Sequence, residues 1–134
     1  MYTEGDELVT IFFMREGSCG YVLPKYNNTS YIRITDGCDF GTEDIVGCIM
    51  KYHLEDEEDW ISQKDKLIRQ FTVVGENTST LLTLSIHDLN KMQLEFVEAY
   101  NSMMDAAYAR LEVALFLKME CMNYCDGRGF ENEN

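Results

Sequence analysis

Basic residues are scarce in this sequence. Eleven Lys and Arg stand against twenty-four Asp and Glu in 134 residues, and the formal net charge is −13. A surface with that charge repels the phosphates of nucleic acids and the headgroups of anionic lipids over most of its area. We therefore expect no nucleic-acid partner and no direct membrane contact, and an anionic ligand would need a local pocket of hydrogen-bond donors.

Long apolar runs and a regular cysteine pattern are also missing. No stretch approaches the roughly eighteen consecutive apolar residues of a membrane-spanning helix. The five cysteines are odd in number and irregular in spacing, and the N-terminus has neither the charged start nor the apolar run of a signal peptide. These absences favour reduced thiols in an intracellular protein.

Catalytic motifs are absent as well. The sequence has no Gly-x-Ser-x-Gly elbow, no paired-histidine motif and no phosphate-binding P-loop, and His53 and His87 lie in unlike contexts. Cys121 and Cys125 share a helix face, but no further Cys or His partner completes a metal site around them. We expect neither an enzyme nor a metal or cofactor site.

The chain up to Ser85 does contain short segments with the composition of β-strands. They are Leu8 to Met14, Cys19 to Pro24, Tyr31 to Thr35, Arg69 to Val74 and Thr80 to Ser85. Turn clusters separate the first three, which predicts an antiparallel meander, and the whole set predicts a β-sandwich or barrel. Hydrophobic residues make up 46% of the chain, so one folded domain with a true core is expected.

A helical period replaces the strand pattern from Ser85 onward. Ser85 can cap a helix in which apolar residues from Leu89 to Tyr100 recur at helical spacing. Asn101 and Ser102 offer a second cap, and Met103 to about Tyr124 is long, apolar and free of Gly and Pro. The sequence therefore predicts two consecutive C-terminal helices.

Two segments stand apart from this domain, which we place at residues 1–125. Residues 50–66 form an acidic insertion, in which Glu55 to Asp59 is an unbroken acidic run. Such a run is typical of a solvated loop or an exposed helix, and a cation site that uses His53 is a weaker alternative. Residues 126–134 are predicted to be a disordered tail.

Four segments, taken in order, carry a resemblance to a known family. They are "EGDELVTIFFMREG" from Glu4, "YIRITDGCDFG" from Tyr31, "RQFTVVGENTSTLLTLSIHDL" from Arg69 and "AYNSMM" from Ala99. Together they resemble the cyclic nucleotide-binding domain, particularly the version at the cytoplasmic C-terminus of hyperpolarisation-activated and cyclic-nucleotide-gated ion channels. The resemblance implies an α+β fold that is mainly β, an antiparallel jelly-roll β-sandwich followed by the B and C helices.

The resemblance also implies an anion site. In the family, the turn that carries Gly37 and Gly41 here and the arginine that corresponds to Arg69 hold the cyclic phosphate. A helical turn after Gly41 would present unpaired N–H groups, and an arginine would add a bidentate charged fork. The alternative is that the glycines merely shape a β-turn and Arg69 pairs with a carboxylate of the protein.

The sequence departs from the family pattern at several of these positions. Thr42 stands where the family has the glutamate that binds the ribose hydroxyl, with Glu43 one place later, and Phe71 replaces an alanine near the base. Leu115, Lys118 and Met119 fall, by count, where the family's C helix closes over the purine, although ordinary helix packing explains them equally well. The candidate ligand-binding residues are Phe40, Gly41, Thr42, Glu43, Arg69, Gln70, Thr72, Leu115, Lys118 and Met119.

The function implied by the resemblance is regulatory. We expect a cytoplasmic domain of an ion channel that binds cAMP or cGMP and couples movement of the C helix to gating, with the rest of the channel and neighbouring subunits as partners. The departures and the acidic insertion favour an alternative, a ligand-free scaffold for channel assembly or interaction. The regulatory module of a cyclic-nucleotide-dependent kinase is a further alternative.

Overall fold

The computed structural model describes residues 1–127, with the side chain of Glu57 excepted. These residues form six strands and four α-helices: β1 (Thr10–Glu16), β2 (Cys19–Leu23), β3 (Thr29–Ile34), β4 (Asp39–Phe40), α1 (Thr42–Tyr52), α2 (Glu57–Ser62), β5 (Thr72–Gly75), β6 (Thr80–Ser85), α3 (Ile86–Glu95) and α4 (Val97–Gly127). Two short 3-10 helices, Pro24–Tyr26 and Lys64–Lys66, lie between these elements. None of the helices in this part of the chain is long and apolar enough to cross a membrane.

The strands form two antiparallel three-stranded sheets. One has the order β4-β1-β6 and the other β3-β2-β5. The predicted antiparallel meander of the first three strands is correct for β2 and β3, which pair, but wrong for β1, because β1 and β2 belong to different sheets. The partners of β1 come from distant parts of the chain, with Phe12 aligned with Phe40 on one side and with Thr83 on the other. Local composition identifies such strands but does not determine which of them pair.

Large apolar side chains fill the space between the sheets and the helices. Tyr21, Phe40, Phe71 and Val73 are all at most 1% exposed and belong to one cluster. This cluster also includes Leu111 of α4, so the last helix packs directly on the sandwich. The predicted mainly antiparallel fold with C-terminal helices is confirmed.

The acidic insertion contains a helix with one buried face. Asp56 caps α2 by accepting a hydrogen bond from the backbone N–H of Asp59 at 2.9 Å. Trp60 is only 2% exposed and packs with Leu54 in a second apolar cluster that also contains Leu8. The insertion is therefore anchored to the domain by its apolar residues, while Glu55 and the other described acidic side chains of the run are exposed or half-buried.

The predicted cap at Ser85 is present, since its hydroxyl accepts a hydrogen bond from the N–H of Asp88 at 3.0 Å. The second cap, predicted at Asn101 and Ser102, is wrong: α4 begins at Val97, and the break between α3 and α4 lies at Phe96. Asn101 and Ser102 are exposed. Packing along the buried face of this long helix outweighs their preference for a cap.

The C-terminal end of α4 is also anchored. Cys125 is fully buried in a small cluster with Leu23 and Tyr26, and the Tyr26 hydroxyl donates a hydrogen bond to Asp126. Helix α4 continues to Gly127. The first two residues of the predicted tail are thus helical, and the rest of that tail, residues 128–134, lies outside the described residues.

Candidate functional site

The turn before α1 brings a glycine into contact with Arg69. Gly41 has a φ of 86°, in the left-handed region, and a Cβ atom at this position would lie 2.8 Å from Nη1 of Arg69. Only glycine combines this backbone conformation with so close an approach. The helix that follows has 11 residues, where the sequence indicated a short helical turn.

Arg69 forms a buried ion pair with Asp44. Its Nη1 donates to Oδ2 of Asp44 at 3.3 Å, and its Nη2 donates to the carbonyl oxygen of Thr10 at 2.6 Å. Asp44 also accepts a hydrogen bond from the backbone N–H of Gln70 at 2.6 Å. The side chains of Arg69 and Asp44 are 2% and 0% exposed. Of the two interpretations of Arg69, the structure shows the one in which it pairs with a carboxylate of the protein.

The surroundings of this pair are apolar. The Arg69 guanidinium lies 3.9 Å from the centre of the Tyr2 ring and 5.7 Å from that of Phe12. Burial raises the pKa of Asp44 to about 6, although the Gln70 N–H and the Arg69 charge act in the opposite direction. The desolvation of the carboxylate therefore outweighs its interactions with its partners. Arg69 lies just before β5, which begins at Thr72, and not inside a strand as predicted.

A second ion pair joins α1 to α4. Glu43 accepts hydrogen bonds from the Tyr21 hydroxyl at 2.7 Å and from Nε of Arg110 at 2.6 Å. Arg110 also donates through Nη2 to Asp39 at 2.7 Å, and the same Asp39 oxygen accepts a hydrogen bond from the Thr42 hydroxyl. Burial and the nearby Glu43 carboxylate raise the pKa of Tyr21, which keeps its hydroxyl protonated. Thr42 and Glu43 thus help to hold α4.

Sequence reasoning missed both Asp44 and Arg110. Asp44 lies three positions beyond Gly41, where the segment that carries the resemblance ends. Its only signal in the sequence is an extra carboxylate next to a turn that needs hydrogen-bond donors to bind an anion. Arg110 interrupts the apolar surface of α4, and a lone arginine in such a surface requires a partner when it is partly buried. The sequence does not identify that partner, because Glu43 lies 67 positions away.

A cavity of about 730 Å³ lies between the second half of α1, the segment before β5 and α4. Basic side chains dominate its charged lining, namely Lys51, Lys66, Arg69 and Lys118, and Glu4 is its only acidic residue among those described. The Lys118 ammonium donates to the Glu4 carboxylate at 2.6 Å and to the Gln70 carbonyl at 3.2 Å. We call this space the basic cavity. It brings together Arg69, Gln70, Leu115 and Lys118 of the predicted ligand-binding residues.

The other predicted ligand-binding residues lie outside the basic cavity. Phe40 stacks on Phe12 in the core with ring centres 5.1 Å apart. The Thr72 hydroxyl accepts a hydrogen bond from the N–H of Glu4 at 3.0 Å, and Met119 is 54% exposed on the outer side of α4. Among the described residues, no member of the acidic run lines the cavity, so the carboxylate beside Arg69 comes from α1 and not from the insertion.

A smaller apolar cavity lies on the other side of Glu43. It measures about 310 Å³ and separates the β3-β2-β5 sheet from α4, with Tyr21, Ile32 and Leu117 among its lining residues. The Glu43–Arg110 pair forms part of its wall. Because both charges already have partners, this cavity offers little to a charged ligand.

Comparison with known proteins identifies the class of the fold. No protein-family model and no curated protein matches the chain. Among solved structures, a protein from Geobacter metallireducens described as a cyclic nucleotide-binding protein matches with a TM-score of 0.53 and 12% identity, over 85% of this chain and 69% of that one. The c-di-GMP-responsive global regulator CLP of Xanthomonas campestris matches with a TM-score of 0.56 and 13% identity, over 90% of this chain and 51% of that one.

A third structure, the EAL enzyme Bd1971 in its cAMP-bound form, matches with a TM-score of 0.53 and 15% identity, over 98% of this chain but only 31% of that one. The chain thus spans between about a third and two thirds of the length of these neighbours. Identities this low establish the fold alone. The chain has the fold of cyclic nucleotide-binding regulatory domains.

Proposed function

We propose that this chain is a regulatory module of the cyclic nucleotide-binding fold whose anion site is filled by its own Asp44. In this role it acts through contacts of its helices with the rest of its parent protein, and it does so without a bound cyclic nucleotide. The observation that supports the proposal is the buried Asp44 carboxylate, which takes hydrogen bonds from both the Arg69 guanidinium and the Gln70 backbone.

These contacts leave few donors for a phosphate. One arm of the Arg69 guanidinium is bound to Asp44 and the other to the Thr10 carbonyl. A cyclic phosphate would have to displace a carboxylate that is already desolvated and paired, or share the site with it at the expense of like-charge repulsion. Phe71, which replaces a small residue of the family pattern, is fully buried against Tyr21.

Calorimetric titration with cAMP and with cGMP tests this proposal directly. We expect no saturable heat from the wild-type chain at nucleotide concentrations up to about 1 mM, which corresponds to a binding free energy weaker than about −4 kcal/mol. Saturable binding of either nucleotide in the micromolar range would overturn it.

The basic cavity favours a second candidate function, a nucleotide sensor. It gathers Lys51, Lys66 and Lys118 next to Arg69 in a chain whose net charge is −13. An anionic nucleotide in this cavity would contact Leu115 and Lys118 of α4, and such contacts could shift the position of the helix. In this form the parent would be an ion channel, the module would lie on the cytoplasmic side, and neighbouring subunits would be its partners.

Arg69→Glu and neutralisation of the acidic run test the sensor. If the wild type binds a nucleotide, an Arg69→Glu variant that circular dichroism shows to be folded should bind it more than about tenfold more weakly, because the substitution removes a charged donor and adds a repulsive charge. Replacement of Glu55, Asp56, Glu58 and Asp59 by their amides should change the affinity little, since none of them lines the basic cavity. Equal binding by Arg69→Glu and wild type would place the ligand elsewhere.

Neither candidate involves catalysis. We propose that the module is not an enzyme, which agrees with the absence of catalytic motifs from its sequence. A regulatory module of a cyclic-nucleotide-dependent kinase is a variant of the sensor that differs only in the parent protein. The calorimetric titration with cAMP and cGMP tests the kinase variant in the same way as the channel variant, because both require nucleotide binding.

A further inference from the structure

Helix α4 has two faces of very different character. One face packs on the domain through Tyr100, Ala107, Leu111, Ala114 and Cys125, all of which are buried. The side of the helix next to this face carries large apolar side chains that remain in contact with solvent, and one of them, Leu115, also borders the basic cavity. These are Tyr108, Leu115, Phe116, Met119 and Met122, with exposed fractions between 38% and 56%. Isolated exposed apolar residues are ordinary, but several on one helix face indicate an interaction surface.

The exposed residues have the spacing of a helix–helix seam. Tyr108, Glu112, Leu115, Met119 and Met122 follow one another at alternating intervals of four and three residues, as in the a and d positions of a heptad repeat. We call these five residues the outer seam. At a rise of about 1.5 Å per residue it runs for about 21 Å, which is enough to contact two heptads of a partner helix. Glu112, in its first half, is an anionic member of an otherwise uncharged seam.

The charged side chains that α4 itself exposes beside the outer seam are all acidic. The two cations of α4, Arg110 and Lys118, are bound to carboxylates of the domain, namely Glu43 and Asp39 for the former and Glu4 for the latter. Asp105, Glu112 and Glu120 are exposed. The solvent side of the described helix is therefore apolar and acidic, since these ion pairs direct both cations toward the domain.

We propose that the outer seam binds a basic amphipathic helix of the parent protein. A partner with leucine-like residues along one stripe and Lys or Arg beside them would cover the apolar side chains and place a cation opposite Glu112. Charge complementarity selects this occupant. A second copy of the chain in parallel register would place Glu112 opposite Glu112 between two chains of net charge −13, and an anionic lipid surface would be repelled.

This proposal rests on the proposed function, because it identifies the kind of partner that the ligand-free module would contact. It is tested independently, because peptide binding and nucleotide binding are separate measurements. The probe is a fluorescein-labelled synthetic peptide of about 18 residues with Leu at the a and d positions of its heptads and Lys at most others. A second peptide has Glu in place of every Lys. Fluorescence anisotropy with the full chain reports the dissociation constant of each.

The basic peptide is expected to bind saturably, and the acidic peptide is expected not to bind. Glu112→Lys and Met119→Ser should each weaken binding of the basic peptide by about tenfold. Their matched controls are Glu58→Lys, an exposed acid on α2, and Leu82→Ser, a 54% exposed apolar residue on β6. The controls should bind within about twofold of wild type. Circular dichroism of each variant checks that the fold is retained.

Several results would overturn the proposal. Equal weakening by Glu58→Lys and Glu112→Lys would show only a general attraction of a basic peptide to an acidic protein. Failure of the wild type to bind the basic peptide would exclude this class of partner. Sedimentation that shows a dimer of the chain, lost in Met119→Ser, would assign the outer seam to a second copy. Flotation with vesicles of anionic lipid that depends on Met119 would assign it to a membrane surface.

Discussion

Glu43 and Asp44 are adjacent carboxylates in the first turn of α1, and each pairs with an arginine, yet the two pairs have different surroundings. The Asp44–Arg69 pair is at most 2% exposed on either side chain. In the Glu43–Arg110 pair the Glu43 side chain is 3% exposed but the Arg110 side chain is 38% exposed. The first pair lies inside the domain, and the second connects α1 to α4.

The difference in burial sets the energetic consequence of breaking each pair. Removal of one partner from a buried pair leaves an uncompensated charge out of water, which costs about 3–5 kcal/mol. In the Glu43–Arg110 pair the arginine is partly exposed, so water can replace part of its interaction and the loss is smaller, about 1–2 kcal/mol, although Glu43 itself is buried. The inner pair should therefore control whether the domain folds, and the outer pair how firmly α4 is held.

The largest effect is expected from Asp44→Ala. The substitution leaves Arg69 buried without its carboxylate, so the free energy of unfolding should fall by about 3–5 kcal/mol, as measured by urea denaturation. Asp105→Ala, which removes an exposed carboxylate from α4, should change stability by less than about 0.5 kcal/mol. A loss below about 1 kcal/mol in Asp44→Ala would show that water or rearrangement satisfies Arg69.

Gly41→Ala should have the next largest effect. A left-handed backbone with a side chain costs about 1–3 kcal/mol, and here the new methyl group would also meet Nη1 of Arg69. Gly37→Ala is the matched control, since Gly37 has a φ of 85° and a Cβ atom there would meet nothing within 4 Å. Thermal unfolding should show a greater loss for Gly41→Ala. Equal losses would mean that the approach to Arg69 adds nothing.

A smaller effect concerns pH. The pKa of Asp44 in the folded chain is about 6, above its ordinary value of 3.8. Between these values the folded state holds more protons at this site than the unfolded state, so the contribution of Asp44 to stability falls as pH rises from about 4 to about 6. Asp44→Asn removes this contribution.

Unfolding free energies measured across this pH window in the wild type and in Asp44→Asn provide the check. The wild-type value relative to that of the variant should decrease with rising pH. A constant difference between the two would show that Asp44 does not titrate in this window.

The smallest loss of global stability among these substitutions is expected from Arg110→Ala, about 1–2 kcal/mol, because water can reach the place of the partly exposed arginine while the buried Glu43 keeps its hydrogen bond from Tyr21. Hydrogen exchange should nevertheless become faster in α4 near Ala107 and Ala114, where the helix loses its connection to Glu43. Arg33→Ala, which breaks the exposed Arg33–Glu76 pair, serves as the control. Unchanged exchange in α4 would indicate that apolar packing alone holds the helix.

Much of the fold follows from local pattern. The strand-like composition of Thr80 to Ser85 and the cap at Ser85 depend on neighbours within a few residues, and the structure places both as the sequence indicates. The start of α4 could not be obtained in this way. Asn101 and Ser102 favour a cap locally, but the packing of Tyr100, Ala107 and the residues beyond them keeps one helix continuous.

In the candidate site, too, some features follow from local sequence and others depend on tertiary packing. The sequence by itself determined that a glycine-bounded turn and Arg69 would lie near each other, because these residues carry a resemblance to an anion-binding family. Only the tertiary structure decided which group Arg69 binds. Asp44 lies 25 positions away in the chain, and the choice between an internal carboxylate and an external anion depends on burial, distance and desolvation, which are properties of the packed core rather than of any local stretch of sequence.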